Sequence, residues 1–179
     1  MATNLGTVIT AMVTPFTDDL KLDLEQMAEL TDRLIDMGSD GLLVTGTTGE
    51  APTLTADEKI ALWETVIKRA RGRVPVMLGT GSNNTEQSIA LTKKAEEVGG
   101  DAVLLVTPYY NKPPQNALYE HFKAVAGATK LPVMIYNVPG RTSRNIEADT
   151  AIRLANDVPN IVALKEASGN LDQVSEICR

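Results

Sequence analysis

Two hydrophobic rhythms take turns along this 179-residue chain. Short, almost uninterrupted apolar runs occupy residues 7–11, 41–45, 75–79, 102–106, 132–136 and 161–165, and between them lie longer stretches with apolar residues at helical spacing. The runs begin roughly every 30 residues, the length of one βα unit. Over residues 23–37, Leu24, Met27, Ala28, Leu30, Leu34 and Ile35 share one broad helical face, and Gly38 supplies the stop. Thr55 followed by Glu58 predicts a capping box, opening a helix through Leu62, Trp63 and Val66 that closes at Gly72. A third helix opens at Asn84 or Thr85 and closes at Gly99-Gly100, and two more run over residues 115–126 and 147–155.

A run such as Val103-Leu104-Leu105-Val106 has no polar face, so it must be covered on both sides, the habit of strands in a parallel sheet. Strand and helix in alternation make the class α/β. Two architectures fit, an open doubly wound sheet and a closed (β/α)8 barrel. For a dinucleotide-binding sheet the nearest fingerprint is Gly79-Thr80-Gly81-Ser82-Asn83-Asn84, which lacks the last glycine and is a weak match.

Composition narrows the functional classes. With 43% hydrophobic and 22% charged residues, the chain is ordinary globular material. A net charge of -6 and a pI near 4.8 argue against nucleic acid or an anionic membrane as partner, since both need a basic face. The single cysteine, Cys178, excludes an internal disulfide. The start Met1-Ala2-Thr3-Asn4-Leu5 lacks the basic and apolar segments of a signal peptide, and no apolar segment is long enough to cross a bilayer, so a cytoplasmic protein is expected.

Candidate chemistry gathers where a barrel would display it, at the C-terminal ends of the strands. Lys165 ends the last apolar run: desolvated there, its amine becomes a nucleophile, whereas pairing with Glu166 would make it a plain strand cap. Gly46-Thr47-Thr48-Gly49-Glu50 follows the second run, with backbone N–H groups and hydroxyls suited to a carboxylate or phosphate, though a simple tight turn has the same composition. Tyr109-Tyr110 lies in a proline-stiffened loop after the fourth run. After the fifth come the Tyr136 phenol and Arg141, whose guanidinium matches a carboxylate. Together these describe carbonyl chemistry by a Schiff-base lysine.

Gly46-Thr47-Thr48-Gly49-Glu50, Tyr109-Tyr110-Asn111-Lys112-Pro113, Tyr136-Asn137-Val138-Pro139-Gly140-Arg141-Thr142 and Leu164-Lys165-Glu166-Ala167 resemble, in order, the motifs of the dihydrodipicolinate synthase (4-hydroxy-tetrahydrodipicolinate synthase) family. The resemblance implies a TIM barrel and condensation of pyruvate with L-aspartate 4-semialdehyde on the route to diaminopimelate and lysine. It implies that Lys165 forms the pyruvate imine and that Tyr136 relays protons. Thr47 would link Tyr136 to Tyr110, the latter contributed across a tight dimer that assembles further as a tetramer. Thr47 and Thr48 would hold the pyruvate carboxylate through their backbone, and Arg141 would help bind the semialdehyde. No metal or organic cofactor is implied. His121, the one histidine, is expected to be a surface or packing residue.

N-acetylneuraminate lyase and 2-keto-3-deoxy-sugar aldolases resemble the same pattern around Lys165 and Tyr136; Arg141 and the Tyr109-Tyr110 pair favour the synthase. The chain shows about six βα units against the eight of a full barrel. Residues 1–179 are therefore expected to form a single, incomplete barrel domain without the last barrel units and the C-terminal helical region. That leaves a catalytically inactive fragment as a further alternative. The resemblance also implies that some relatives bind lysine at the dimer interface near the helix after the glycine-rich loop, where they carry histidines; here that stretch, Pro52-Thr53-Leu54-Thr55-Ala56-Asp57-Glu58-Lys59, has no histidine, so weak or absent feedback inhibition by lysine is expected.

Overall fold

The computed structural model describes residues 5–179. Strands and helices alternate throughout: β1 (Ile9–Ala11), α1 (Leu24–Asp36), β2 (Gly41–Val44), a 3-10 turn (Ala51–Thr53), α2 (Ala56–Ala70), β3 (Val76–Gly79), α3 (Thr85–Glu97), β4 (Ala102–Val106), α4 (Gln115–Ala126), β5 (Val133–Asn137), the short α5 (Pro139–Thr142), α6 (Ala148–Asp157), β6 (Ile161–Glu166) and α7 (Leu171–Ile177). The chain divides into two compact units, one from residues up to Gly79 with Lys94–Val103, the other from Thr80–Lys93 with Leu104–Arg179.

In the first unit β1, β2 and β3 pair in parallel, with Ile9 opposite Gly41 and Leu42 opposite Val76. Leu42, Leu43, Val44, Val76, Met77 and Leu78 are all buried, as strands with two apolar faces require. Asp23 caps α1 by accepting from the Gln26 N–H. The capping box at α2 forms as the spacing predicts, Thr55 accepting from the Glu58 N–H while Glu58 accepts from the Thr55 N–H. α2 stops at Ala70, because Arg71 already takes the left-handed conformation at φ 50°, one residue before Gly72. Asp32 on α1 accepts hydrogen bonds from Arg69 and Arg73, one from the last turn of α2 and one from just beyond it.

In the second unit β5 and β6 pair in parallel, and a bulge shifts the register from Val133 opposite Ile161 to Met134 opposite Ala163. From there Tyr136 stands opposite Lys165 and Asn137 opposite Glu166. Asn84 caps α3 by accepting from the Gln87 N–H. α4 spans the predicted residues and buries Leu118, Tyr119, His121, Phe122 and Val125.

The glycine pair Gly79 and Gly81 has a packing explanation. A Cβ on Gly79 would lie 2.2 Å from the Thr45 carbonyl oxygen, and one on Gly81 would lie 2.5 Å from the Val106 nitrogen. Both glycines therefore let two backbone segments approach closely, which accounts for them without a phosphate. Among the described residues no helix is long and apolar enough to cross a membrane.

Candidate active site

Lys165 and Tyr136 are held together by strand register. Residues opposite each other on paired strands project to the same face, and consecutive residues project to opposite faces. Lys165 therefore shares a face with Tyr136, and its Nζ lies 4.3 Å from the centre of the phenol ring. Tyr136 is 7% exposed, and its carbonyl accepts from both the Thr107 N–H (2.9 Å) and the Thr107 hydroxyl (3.0 Å). Burial pushes the Lys165 ammonium below the ordinary lysine range, towards a neutral amine.

The nearest carboxylate in sequence does not neutralise that lysine. Glu166 faces the other side of β6, where Asn137 Nδ2 donates to Oε1 (3.1 Å) and Oε2 (2.9 Å), Gln173 Nε2 donates to Oε2 (2.9 Å) and the Ser168 N–H donates to Oε1 (2.7 Å). Burial pushes the Glu166 carboxyl up; the hydrogen bonds from Ser168, Asn137 and Gln173 outweigh it, and the group sits below the usual glutamate range. Among the described residues Lys165 makes no ion pair. The strand-cap reading of Lys165, which needed a pair with Glu166, thus loses its basis.

Arg141 lies exposed on α5, four residues beyond the end of β5. Tyr110 is 89% exposed, and its backbone is left-handed at φ 70°. Its neighbour Tyr109 is half-buried, and Asn111 Nδ2 donates to the Asn83 carbonyl at 3.2 Å. Lys165 and Tyr136 are thus brought together, while Tyr110 presents its ring to solvent.

Thr47 and Thr48 belong to the first unit. Their turn is closed by the Gly49 N–H donating to the Gly46 carbonyl (3.1 Å) and the Glu50 N–H donating to the Thr47 carbonyl (3.1 Å), and Thr14 Oγ1 donates to the Gly49 carbonyl at 2.7 Å. The N–H groups of Thr47 and Thr48 make no hydrogen bond among the described residues, and both residues are exposed. Two successive unused donors can receive an anion. The turn begins one residue sooner than the apolar run suggests, because Thr45 leaves β2 with φ 54°. A left-handed β-branched residue needs support. Here the Thr45 hydroxyl donates to the Val44 carbonyl (2.8 Å) or the Gly79 carbonyl (3.2 Å) and accepts from the Trp63 indole N–H (2.8 Å).

Nothing local in the sequence marks Thr45, Trp63, Asn137, Asn145 or Gln173 as parts of the site. A threonine ending an apolar run and an asparagine beside the phenol come nearest to a signal.

Comparison with known proteins supplies the context. A model of the dihydrodipicolinate synthetase family matches residues 4–179. The 4-hydroxy-tetrahydrodipicolinate synthase of Bacillus subtilis (strain 168) is 59% identical over 174 residues, which is 97% of this chain and 60% of that protein. The crystal structure of a dihydrodipicolinate synthase from Bacillus anthracis is 54% identical and superposes with a TM-score of 0.96 over 99% of this chain and 60% of its own. The dihydrodipicolinate synthase of Acinetobacter baumannii, crystallised in complex with pyruvate, is 44% identical with a TM-score of 0.94 over 97% of this chain and 60% of its own. The chain thus spans about 60% of the length of these relatives. Its fold is that of the barrel's first six βα units.

Proposed function

This chain belongs to the dihydrodipicolinate synthetase family, and from that premise we propose that it carries the machinery of a 4-hydroxy-tetrahydrodipicolinate synthase, a lyase of lysine and diaminopimelate biosynthesis that condenses pyruvate with L-aspartate 4-semialdehyde. The observation that carries the reading is the Lys165 amine, partly desolvated, in contact with the Tyr136 ring and without a carboxylate partner.

In this mechanism the neutral Lys165 Nζ adds to the keto carbon of pyruvate to form a carbinolamine. Tyr136 passes a proton to the departing oxygen, water leaves, and a protonated imine remains. Loss of a methyl proton moves the electron pair into an enamine, and the enamine carbon attacks the aldehyde carbon of the semialdehyde. The C–C bond forms as the aldehyde oxygen takes up a proton. The semialdehyde's own amino group then adds to the imine carbon and expels the Lys165 amine, which closes the six-membered ring and restores the lysine. Every step is proton transfer and carbonyl addition, so the lysine itself serves as the electron sink and no organic cofactor is required.

The unused N–H groups of Thr47 and Thr48 suit the pyruvate carboxylate, and the exposed Arg141 suits the carboxylate of the second substrate. Thr47 is the proposed link between Tyr136 and Tyr110. The exposed Tyr110 ring is suited to reach a second copy, so we take the working state to be a homo-oligomer built on a tight dimer.

The acceptor is tested by incubating the protein with pyruvate and either L-aspartate 4-semialdehyde or N-acetylmannosamine and following pyruvate consumption. Consumption with the semialdehyde alone is expected; consumption with the sugar alone would replace the synthase by an N-acetylneuraminate lyase.

A further inference from the structure

Behind the strand end that carries Lys165 lies a set of amides with a single workable hydrogen-bond pattern. Asn137 is fully buried; its Oδ1 accepts from the Ile146 N–H (3.1 Å), and its Nδ2 donates to Asn145 Oδ1 (2.7 Å) and to the Glu166 carboxylate. Asn145 Nδ2 donates to Gln173 Oε1 (2.8 Å), and Gln173 Nε2 turns to Glu166, with longer contacts to Asn145 Oδ1 and the Ile146 carbonyl (both 3.3 Å). The orientation is dictated from both ends. The Ile146 N–H can only donate and the carboxylate can only accept, so a flipped Asn137 would set oxygen against oxygen and N–H against N–H.

Among the described residues Lys165 lies against the Tyr136 ring and makes no ion pair, and the groups gathered on Glu166 from β5, from the turn after β6 and from α7 are all uncharged. The Glu166 charge is therefore solvated by dipoles rather than by a cation. Without those dipoles its nearest counter-ion in sequence is the ammonium of Lys165, reached around the end of the strand. An ion pair would favour the ammonium and remove the nucleophile.

Resting on the imine reading above, we propose that Asn137, Asn145 and Gln173 are positioning residues for the Schiff-base chemistry: they hold the Glu166 carboxylate behind β6 and so leave the Lys165 amine facing Tyr136 without a counter-ion. None of the three touches substrate in this scheme; they act through Glu166.

The test reads the amine directly. Trace acetic anhydride labels each lysine in proportion to its neutral fraction, and peptide mass mapping gives the rate at Lys165 against the other lysines at pH 7.5. Gln173→Met keeps the bulk but removes both donors. It is expected to lower relative Lys165 labelling by about tenfold, the change that one pH unit in its titration produces. Adding Glu166→Gln to that variant is expected to restore the rate to within about threefold of the parent, because the effect runs through the carboxylate's charge. Asn145→Leu, which takes away the partner that orients Gln173, should act in the same direction and serves if the methionine variant does not fold. Labelling unchanged in the single variants, or lowered but not restored by Glu166→Gln, overturns the proposal. Pyruvate and borohydride trapping run in parallel separates the two readings: if Lys165 labelling follows the pattern above while no adduct forms there, the positioning device stands and the imine function falls.

Discussion

Lys165 and Tyr136, register partners on adjacent parallel strands, place an amine nitrogen 4.3 Å from the centre of a phenol ring that is itself pinned through its carbonyl by Thr107. Twenty-nine positions apart in the chain, the two groups become neighbours through sheet register alone. The bulge between Val133 and Met134 is part of that register, since it sets which residue of β6 the phenol meets.

The phenol hydroxyl acts as a proton carrier in this scheme, so its removal should damage chemistry more than folding. Tyr136→Phe is expected to slow condensation by about 10²- to 10⁴-fold, the usual contribution of a positioned proton donor. The lysine should still trap pyruvate, more slowly. Steady-state rates beside adduct yield check this; an unchanged rate would remove Tyr136 from the relay.

Thr45, where the turn that carries Thr47 and Thr48 begins, pairs a left-handed backbone with a hydroxyl held by the Trp63 indole. Trp63→Phe leaves that buried hydroxyl without its donor and should cost roughly 1–3 kcal/mol in urea unfolding. A variant of parental stability would show that the indole hydrogen bond is not what holds Thr45.

Gly79→Ala should be more severe, because its Cβ meets the Thr45 carbonyl, a backbone group that cannot swing aside. About 3 kcal/mol or more is expected, the upper end of overpacking costs. Thermal unfolding measures it, and a loss below about 1 kcal/mol would show that the strands separate easily.

His121 is buried against Phe122, with Nδ1 bonded to Thr85 Oγ1 at 2.9 Å and Nε2 without a partner among the described residues. Burial pushes its pKa down from 6.5 to about 4. A group depressed on folding binds fewer protons in the native state. The stability it contributes is present above pH 6.5 and is lost as the pH falls towards 4. At about 1.4 kcal/mol per pH unit between those values, roughly 3 kcal/mol should disappear. His121→Gln should flatten the fall in urea midpoint over that window; an equally steep fall would assign it to other groups.

Much of this was legible in the sequence. Five of the six strand runs lie within one residue of their observed positions and the predicted helix boundaries within two, because fully apolar runs, the Thr55-Glu58 box and Gln115–Ala126 are local signals. The exceptions are instructive. Strand β1 is shortened because the Thr7 and Val8 N–H groups turn to the Asp40 carboxylate instead of a neighbouring strand. The amide set around Glu166 draws on residues 137, 145 and 173, and such a convergence has no local signature. The state of Lys165 was ambiguous for the same reason: local sequence offered Glu166 as its partner, and only the strand's alternation and distant amides turn that carboxylate away. His121, expected at a surface or in packing, is a packing residue.

The central claim is that Lys165 is the imine-forming amine. Treating the protein with pyruvate and sodium borohydride and mapping the peptides by mass tests it most directly. A reduced adduct on Lys165, absent from Lys165→Ala, is the predicted result. An adduct on another lysine, or none while the protein is folded and binds pyruvate, would contradict it.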